Sequence, residues 1–164
     1  MSRFDPSDAP PTPQERRAVR RPGADVIYRV RRASSPSPAA PVVFLHGLAS
    51  NMTRWAELTR ETTLGEHHDL IRVDLRGHGE SMTRRRFDLS VWNDDLAQLL
   101  TEEHATRAYL VGHSLGATLA LAFAAARPDR VAGLVLIDPV FREALVPGKA
   151  HYARNGLLFA RAAT

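Results

Sequence analysis

A Gly-x-Ser-x-Gly motif between a short apolar run and a long apolar stretch constrains the fold of this chain most strongly. The motif, Gly112-His113-Ser114-Leu115-Gly116, follows Tyr109-Leu110-Val111 and leads directly into the alanine- and leucine-rich stretch 117–126. This context predicts a tight turn from a buried strand to a helix, on which the serine hydroxyl projects away from the backbone. The flanking glycines leave room where a Cβ would collide with the strand or the helix. The motif favours Ser114 as a nucleophile over the alternative, a serine that only caps an ordinary helix.

Apolar segments along the rest of the chain alternate between strand-like and helix-like patterns. Short apolar strands that alternate with helices indicate βαβ units and a mostly parallel sheet, so the sequence predicts the α/β class. Two segments around Pro22-Gly23-Ala24 add a β-hairpin before the first parallel strand. The predicted hairpin segments are 16–21 and 25–32, the predicted strands are 42–45, 70–73, 109–111 and 131–137, and the predicted helices are 52–64, 89–103 and 115–126.

The helix predicted over 89–103 has the clearest amphipathic pattern. Its apolar side chains share one face and are expected to pack on the sheet. Its acidic side chains are expected to face water. The apolar residues are Val91, Trp92, Leu96, Leu99 and Leu100, and the acidic residues are Asp94, Asp95, Glu102 and Glu103.

The composition excludes several kinds of site and protein. The 164 residues suffice for one domain with a sizeable core, and the absence of cysteine excludes disulfides, thiolate metal sites and a cysteine nucleophile. No apolar run approaches the ~18 residues that a membrane-spanning helix needs. The N-terminus has no apolar segment typical of a secretory signal. We therefore expect a cytoplasmic protein without a membrane span.

The net charge of +4 lies in one segment of the chain. Residues 1–32 contain eight arginines and four acidic residues, whereas the basic and acidic residues of 33–164 balance each other. Neither interleaved aromatic residues nor a nucleic-acid-binding motif accompanies this excess. We therefore expect no nucleic-acid partner.

A second loop is predicted to meet the serine turn. His46-Gly47-Leu48 follows the strand 42–45, and the carboxyl ends of strands in an open parallel sheet form the ligand crevice. The backbone amides of Leu48 and Leu115 are then the natural pair of donors to an oxyanion. For His46 we expect a hydrogen bond that orders this loop rather than a direct part in catalysis, and Gly47 belongs to the same loop-ordering group.

The segment 74–81, Asp-Leu-Arg-Gly-His-Gly-Glu-Ser, follows the next strand and superficially resembles a dinucleotide-binding loop. A third glycine would be needed at position 82, which is Met82. The dinucleotide interpretation therefore fails. We expect Asp74 and His78 to fix the loop through hydrogen bonds to backbone N–H groups.

These motifs together resemble those of the α/β-hydrolase family, of the type with a serine nucleophile. The matching signatures are His46-Gly47, the segment 74–81, the motif 112–116 and the strand end Leu136-Ile137-Asp138-Pro139, in the family's order. The resemblance implies a mostly parallel sheet of eight strands flanked by helices, with Ser114 as the nucleophile. It implies hydrolysis of a small-molecule substrate, a carboxylic ester or similar acyl compound, through an acyl-enzyme, with neither a metal nor an organic cofactor.

The sequence departs from the family's pattern after strand 131–137. The family places the acid and the histidine of its triad after the serine, and we expect the last two strands, which carry these loops, to be lacking here. One histidine follows an acid in the right order, which makes Ser114, Asp138 and His151 the candidate triad. His113 adjoins the nucleophile, and its side chain is expected to point away from that of Ser114.

We therefore expect a C-terminally truncated hydrolase with three parts. Residues 1–13 are expected to form a disordered leader, 14–139 the N-terminal portion of the hydrolase core, and 140–164 the start of a helical lid. An unpaired outer edge on strand 131–137 would promote self-association. The alternative function is a non-catalytic binding module of the same fold, or a remnant without a working triad.

Overall fold

The computed structural model describes residues 13–36, 38–85 and 88–140, together with the backbone of 158–160. The described residues form one seven-stranded sheet with the strand order β1-β2-β4-β3-β5-β6-β7. The strands are β1 (Gln14–Val19), β2 (Val26–Arg31), β3 (Ala39–Leu45), β4 (His68–Val73), β5 (Ala108–His113), β6 (Val131–Ile137) and β7 (Leu158–Ala160). The helices are α1 (Ala56–Glu61), α2 (Leu89–Glu102) and α3 (Leu115–Ala126), with short 3₁₀ turns at Met52–Trp55, Thr63–Glu66, Gly79–Ser81 and Pro128–Arg130.

Four adjacent strands, β4, β3, β5 and β6, run parallel to one another. The β1–β2 hairpin extends this group on one side, where β2 pairs antiparallel with β4. The predicted α/β class with a mostly parallel sheet flanked by helices is confirmed, and the predicted hairpin is present. The predicted helix over 52–64 is shorter in the structure, because 3₁₀ turns precede and follow α1.

The parallel strands bury apolar side chains on both faces of the sheet, as continuous apolar runs predict. On one face, Leu99 of α2 and Phe123 of α3 pack in the same cluster as Val43 of β3. On the other face, Trp55 packs against Phe44 with 5.5 Å between the ring centroids. Loops at the carboxyl ends of β3, β4 and β5 are thereby attached to a rigid base.

The prediction that all four acidic residues of α2 and its end face water is wrong for Asp95 and Glu103. Asp95 is buried, and the side chain of Glu103 is 2 % exposed. Glu103 accepts hydrogen bonds from Tyr28 Oη at 2.6 Å and from Arg32 Nη1 at 2.8 Å. The helical pattern alone cannot show this, because the partners come from the hairpin, far away in the sequence. Asp94 is exposed, as predicted.

Many of the N-terminal arginines form ion pairs with acidic side chains of the same protein. Arg16 and Arg29 both bind Glu80, at 2.7 and 2.9 Å. Arg32 binds Asp69 at 2.8 Å, in addition to Glu103. These pairs join the hairpin to the loop after β4 and to the end of α2. The excess arginines of the hairpin therefore have a structural role.

The expectation of an unpaired outer edge on β6 is wrong for the middle of that strand. β7 pairs antiparallel with it in the register Leu134↔Ala160, Val135↔Phe159 and Leu136↔Leu158. The sequence predicts no strand there, because three residues are too few to give a strand pattern. Self-association through the sheet edge stays a prediction. The predicted leader, except for its last residue, and most of the predicted lid lie outside the described residues.

Candidate active site

Ser114 lies on the sharp turn that joins β5 to α3. Its backbone angles are φ 52° and ψ −116°, in the positive-φ region that residues with a side chain seldom adopt. Its amide donates to the carbonyl of Ile137 at 2.9 Å, and its own carbonyl accepts from Ala117 and Thr118 at 3.0 and 3.1 Å. The turn is thus attached to the end of β6 on one side and to the first turn of α3 on the other.

The glycines on either side of Ser114 permit close packing of this turn. A Cβ on Gly112 would overlap the backbone of Gly116 and Ala117. A Cβ on Gly116 would overlap the carbonyl groups of Leu45 and His46, at the end of β3. Both glycines are therefore required by the approach of α3 to β5 and to the end of β3.

The loop after β3 meets the serine turn at Gly47. A Cβ placed on Gly47 would lie 3.2 Å from Ser114 Cβ and 3.0 Å from His113 Nδ1. Among the described residues the amide of Leu48 has no hydrogen-bond acceptor, and Leu115 begins α3, where amides lack acceptors within their own helix. The structure therefore brings both candidate oxyanion donors to loops that touch each other.

His46 joins its own loop to the loop after β4. The imidazole is fully buried. Its Nε2 accepts from the amide of Leu75 at 3.1 Å, while its Nδ1 lies 2.8 Å from the carbonyl oxygen of Gly47. Burial lowers the pKa of His46, and the nearby His78 ring, 5.0 Å away between centroids, acts in the same direction. The neutral ring can therefore accept at Nε2 and donate at Nδ1.

Asp74 connects three segments around the site. Its Oδ1 accepts from the amide of Met52 at 2.7 Å, and its Oδ2 accepts from the amide of Glu80 at 2.8 Å. A Cβ on Gly79 would overlap this carboxylate, so only glycine leaves it room. His78, for which a bond to a backbone N–H was expected, instead has its Nδ1 3.3 Å from the carbonyl oxygen of Arg76.

His113 packs on Gly47 beside the nucleophile. Arg54 Nη2 lies 3.4 Å from its Nε2. A guanidinium only donates, so this contact favours the tautomer with the proton on Nδ1. Burial, and the positive charge of Arg54, lower the pKa of His113, whereas the negative charge of Asp138 acts in the opposite direction. Among the described residues, Nδ1 is buried without a hydrogen-bond partner. Arg54 belongs to no sequence motif, so the sequence alone does not identify it.

Asp138 directly follows β6, with a positive φ of 49° and an exposed side chain. His151 lies outside the described residues. The described residues offer the Ser114 hydroxyl no hydrogen-bond partner. Within the same part of the chain, no group of three His, Asp or Glu residues could hold a metal ion, and no helix has the length and apolar character to cross a membrane.

Comparisons with known proteins agree with this architecture. The family model described as alpha/beta hydrolase fold matches residues 40–163. The chain is 30% identical to Esterase YbfF of Escherichia coli (strain K12), over 80% of this chain and 49% of that protein. It is 36% identical to Lipase LipV of Mycobacterium tuberculosis, over 63% of this chain and 39% of that protein.

A solved structure has the same fold. The crystal structure of Cfl2 from Burkholderia cenocepacia superposes with a TM-score of 0.70 at 25% identity, covering 82% of this chain and 45% of that one. The chain therefore spans about half, or less, of the length of the relatives that it matches. With the family match extending over most of its length, the chain belongs to the α/β hydrolase fold family.

Proposed function

We propose that this chain carries the nucleophile and the oxyanion site of a serine hydrolase that acts on carboxylic esters or similar acyl substrates. One observation supports this most directly: Ser114 is held at φ 52° on a strand-to-helix turn, against the loop that carries the Leu48 amide. A strained turn of this kind persists only where the surrounding packing enforces it. The esterase and lipase named among the relatives support hydrolysis as the reaction class.

In the proposed reaction, Ser114 Oγ attacks the carbonyl carbon and loses its proton to a base. The carbonyl oxygen becomes an oxyanion, which the amides of Leu48 and Leu115 stabilise. Removal of one such donor typically costs about 3 kcal/mol of transition-state stabilisation. The alcohol leaves with a proton, and water then hydrolyses the acyl-serine. Asp138 and His151 are the candidate acid and base of this chain.

Covalent labelling tests the proposal. The purified chain, shown to be folded by circular dichroism, is treated with a fluorophosphonate, and the adduct is located by mass spectrometry. We expect an adduct on Ser114 and none in the Ser114→Ala variant. A folded protein that forms no adduct contradicts an activated serine.

One observation favours a second candidate, the non-catalytic binding module of the same fold. Among the described residues, the Ser114 hydroxyl has no hydrogen-bonded base, and a serine without a base is a weak nucleophile. Turnover of a para-nitrophenyl ester that disappears in Ser114→Ala distinguishes the hydrolase from the binding module. A binding module would show neither turnover nor labelling while retaining its fold.

A further inference from the structure

The backbone at Arg54 is fixed next to the candidate active site. Arg54 belongs to the 3₁₀ turn Met52–Trp55, which follows the loop of His46 and Leu48 closely. Asn51 caps this turn by accepting from the amide of Thr53 at 2.9 Å. The Met52 amide is bound to Asp74, and the Trp55 ring is buried against Phe44. The position of Arg54 is therefore set by packing and hydrogen bonds on both sides of it.

The side chain of Arg54 extends from this turn to the serine site. It is exposed, and its Nη2 contacts the ring of His113, the residue before the nucleophile. The same ring packs on Gly47, against which Ser114 Cβ also lies. The guanidinium therefore contacts the side chain of the residue next to the nucleophile, where the loop of Gly47 meets the serine turn.

The charge of Arg54 is not neutralised by an ion pair within the described residues. No carboxylate there approaches its guanidinium to ion-pair distance, although Arg16, Arg20 and Arg32 of the hairpin region each bind at least one. Asp138 acts electrostatically on His113 but forms no ion pair with Arg54. The one described contact of the guanidinium uses a single N–H out of five. Within the part of the chain that the structure describes, the remaining donors have no partner and can receive an anion.

We propose that Arg54 makes the Ser114 site selective for substrates that carry a carboxylate close to the scissile ester. A guanidinium binds a carboxylate through two parallel hydrogen bonds, which adds orientation as well as affinity. The chemical class is therefore an acyl ester with an anionic group on its acyl or its alcohol part. This inference rests on the proposed hydrolase function and specifies its substrate.

Matched pairs of esters test this selectivity. On the acyl side, para-nitrophenyl hydrogen adipate is compared with its neutral methyl ester. On the alcohol side, para-acetoxybenzoate is compared with its methyl ester. Each pair differs in one charge and one methyl group, and the neutral phenyl ester has the better leaving group, so the quantity compared is the change in the preference between the wild type and the Arg54 variants. Initial rates at neutral pH give kcat/KM for each ester, after subtraction of the rate in Ser114→Ala.

We expect the wild-type protein to prefer the anionic member of at least one pair. Arg54→Gln should lower that preference by about tenfold or more, because the charged hydrogen bonds to the carboxylate are lost. Arg54→Lys should restore part of it, and added salt should reduce it in the wild type. Arg60→Gln is the matched control, because Arg60 is exposed on the neighbouring helix α1 and pairs with Glu61 instead. Turnover without a preference that depends on Arg54 overturns the inference and leaves the proposed function intact.

A binding measurement separates failure of this inference from failure of the proposed function. para-Nitrobenzoate is titrated into Ser114→Ala protein, and the ring resonances of His113 are followed by NMR. We expect saturable shifts that disappear when Arg54→Gln is added to Ser114→Ala. If none of the esters is hydrolysed, the hydrolase function fails while such shifts still identify an anion site. Equal shifts with and without Arg54, or none, overturn the inference.

Discussion

The carboxylate of Asp95 on α2 and the guanidinium of Arg76 form a buried ion pair with two hydrogen bonds. Arg76 donates through Nε to Oδ2 at 2.7 Å and through Nη2 to Oδ1 at 2.8 Å, and both side chains are 5 % exposed or less. Arg21 of the hairpin adds a third bond to Oδ1 at 2.8 Å. The pair attaches α2 to the loop that carries Asp74, so the helix indirectly supports the candidate active site.

Replacement of Asp95 by Asn should destabilise the protein strongly. It leaves two guanidinium groups near a neutral amide in a buried position, which typically costs about 3–5 kcal/mol. The free energy of unfolding in urea, followed by circular dichroism, measures the effect. Asp94→Asn is the matched control on the same helix, because Asp94 is exposed and its pair with Arg127 is worth about 1 kcal/mol or less. Equal losses in the two variants would contradict a special role for Asp95.

Local motifs explain why much of the fold could be predicted. The apolar runs of β3, β4, β5 and β6 and the boundaries of α3 depend on neighbouring residues, and the structure has them close to the predicted positions. The same holds for the hairpin, whose turn residues are adjacent in the sequence. The spacing of apolar residues and the presence of turn-forming residues are properties of short segments, so they can be read from the sequence alone.

Contacts between distant segments explain what could not be predicted. Asp95 and Glu103 are buried because arginines and a tyrosine of the hairpin meet them across the fold. At the candidate site, the motifs identify Ser114 and Gly47. Arg54 is identified only when the chain folds and its guanidinium meets His113. The apolar pattern of a helix is thus a poor predictor of whether its charged side chains are buried and which partners they bind.

Substitution of Gly116 by Ala should disrupt the serine turn. The new Cβ would overlap the carbonyl group of Leu45, and backbone atoms of a central strand cannot move aside cheaply. We expect a loss of at least about 2 kcal/mol in the free energy of unfolding, measured in urea. Gly133→Ala on β6 is the control, because its Cβ would meet only the ring of Tyr109 at 3.0 Å, and a partly exposed side chain can shift. A Gly116→Ala variant as stable as this control would contradict the packing described for the turn.

Stability should fall as the pH falls below the ordinary pKa of histidine. Burial lowers the pKa of His46 and of His113 in the folded protein below the ordinary histidine value of about 6.5. The unfolded chain therefore binds protons more readily than the folded protein, and acid favours unfolding. The loss begins near the unfolded pKa and continues down to the lowered folded pKa. Above that window, neither residue makes stability depend on pH.

Urea midpoints measured across this window test the contribution of His46. His46→Gln keeps an acceptor for the Leu75 amide but cannot be protonated, so its stability should depend less on pH than that of the wild type. His67→Gln controls for the loss of an imidazole as such, because His67 is exposed at the opposite end of the strands. A steeper dependence in His46→Gln than in the wild type would contradict the assigned direction.

Replacement of Ser114 by Gly should stabilise the protein, although it removes the candidate nucleophile. At φ 52° and ψ −116°, a residue with a Cβ carries strain of about 1–3 kcal/mol. Glycine relieves this strain but loses about 0.5–1 kcal/mol through the greater freedom of the unfolded chain. Ser114→Ala removes the same hydroxyl and retains the Cβ. We therefore expect Ser114→Gly to exceed Ser114→Ala by about 1 kcal/mol in the free energy of unfolding, with fluorophosphonate labelling absent from both. If the alanine and glycine variants were equally stable, the strain at the serine turn would only balance the glycine loss of about 0.5–1 kcal/mol, below the range expected for this backbone conformation.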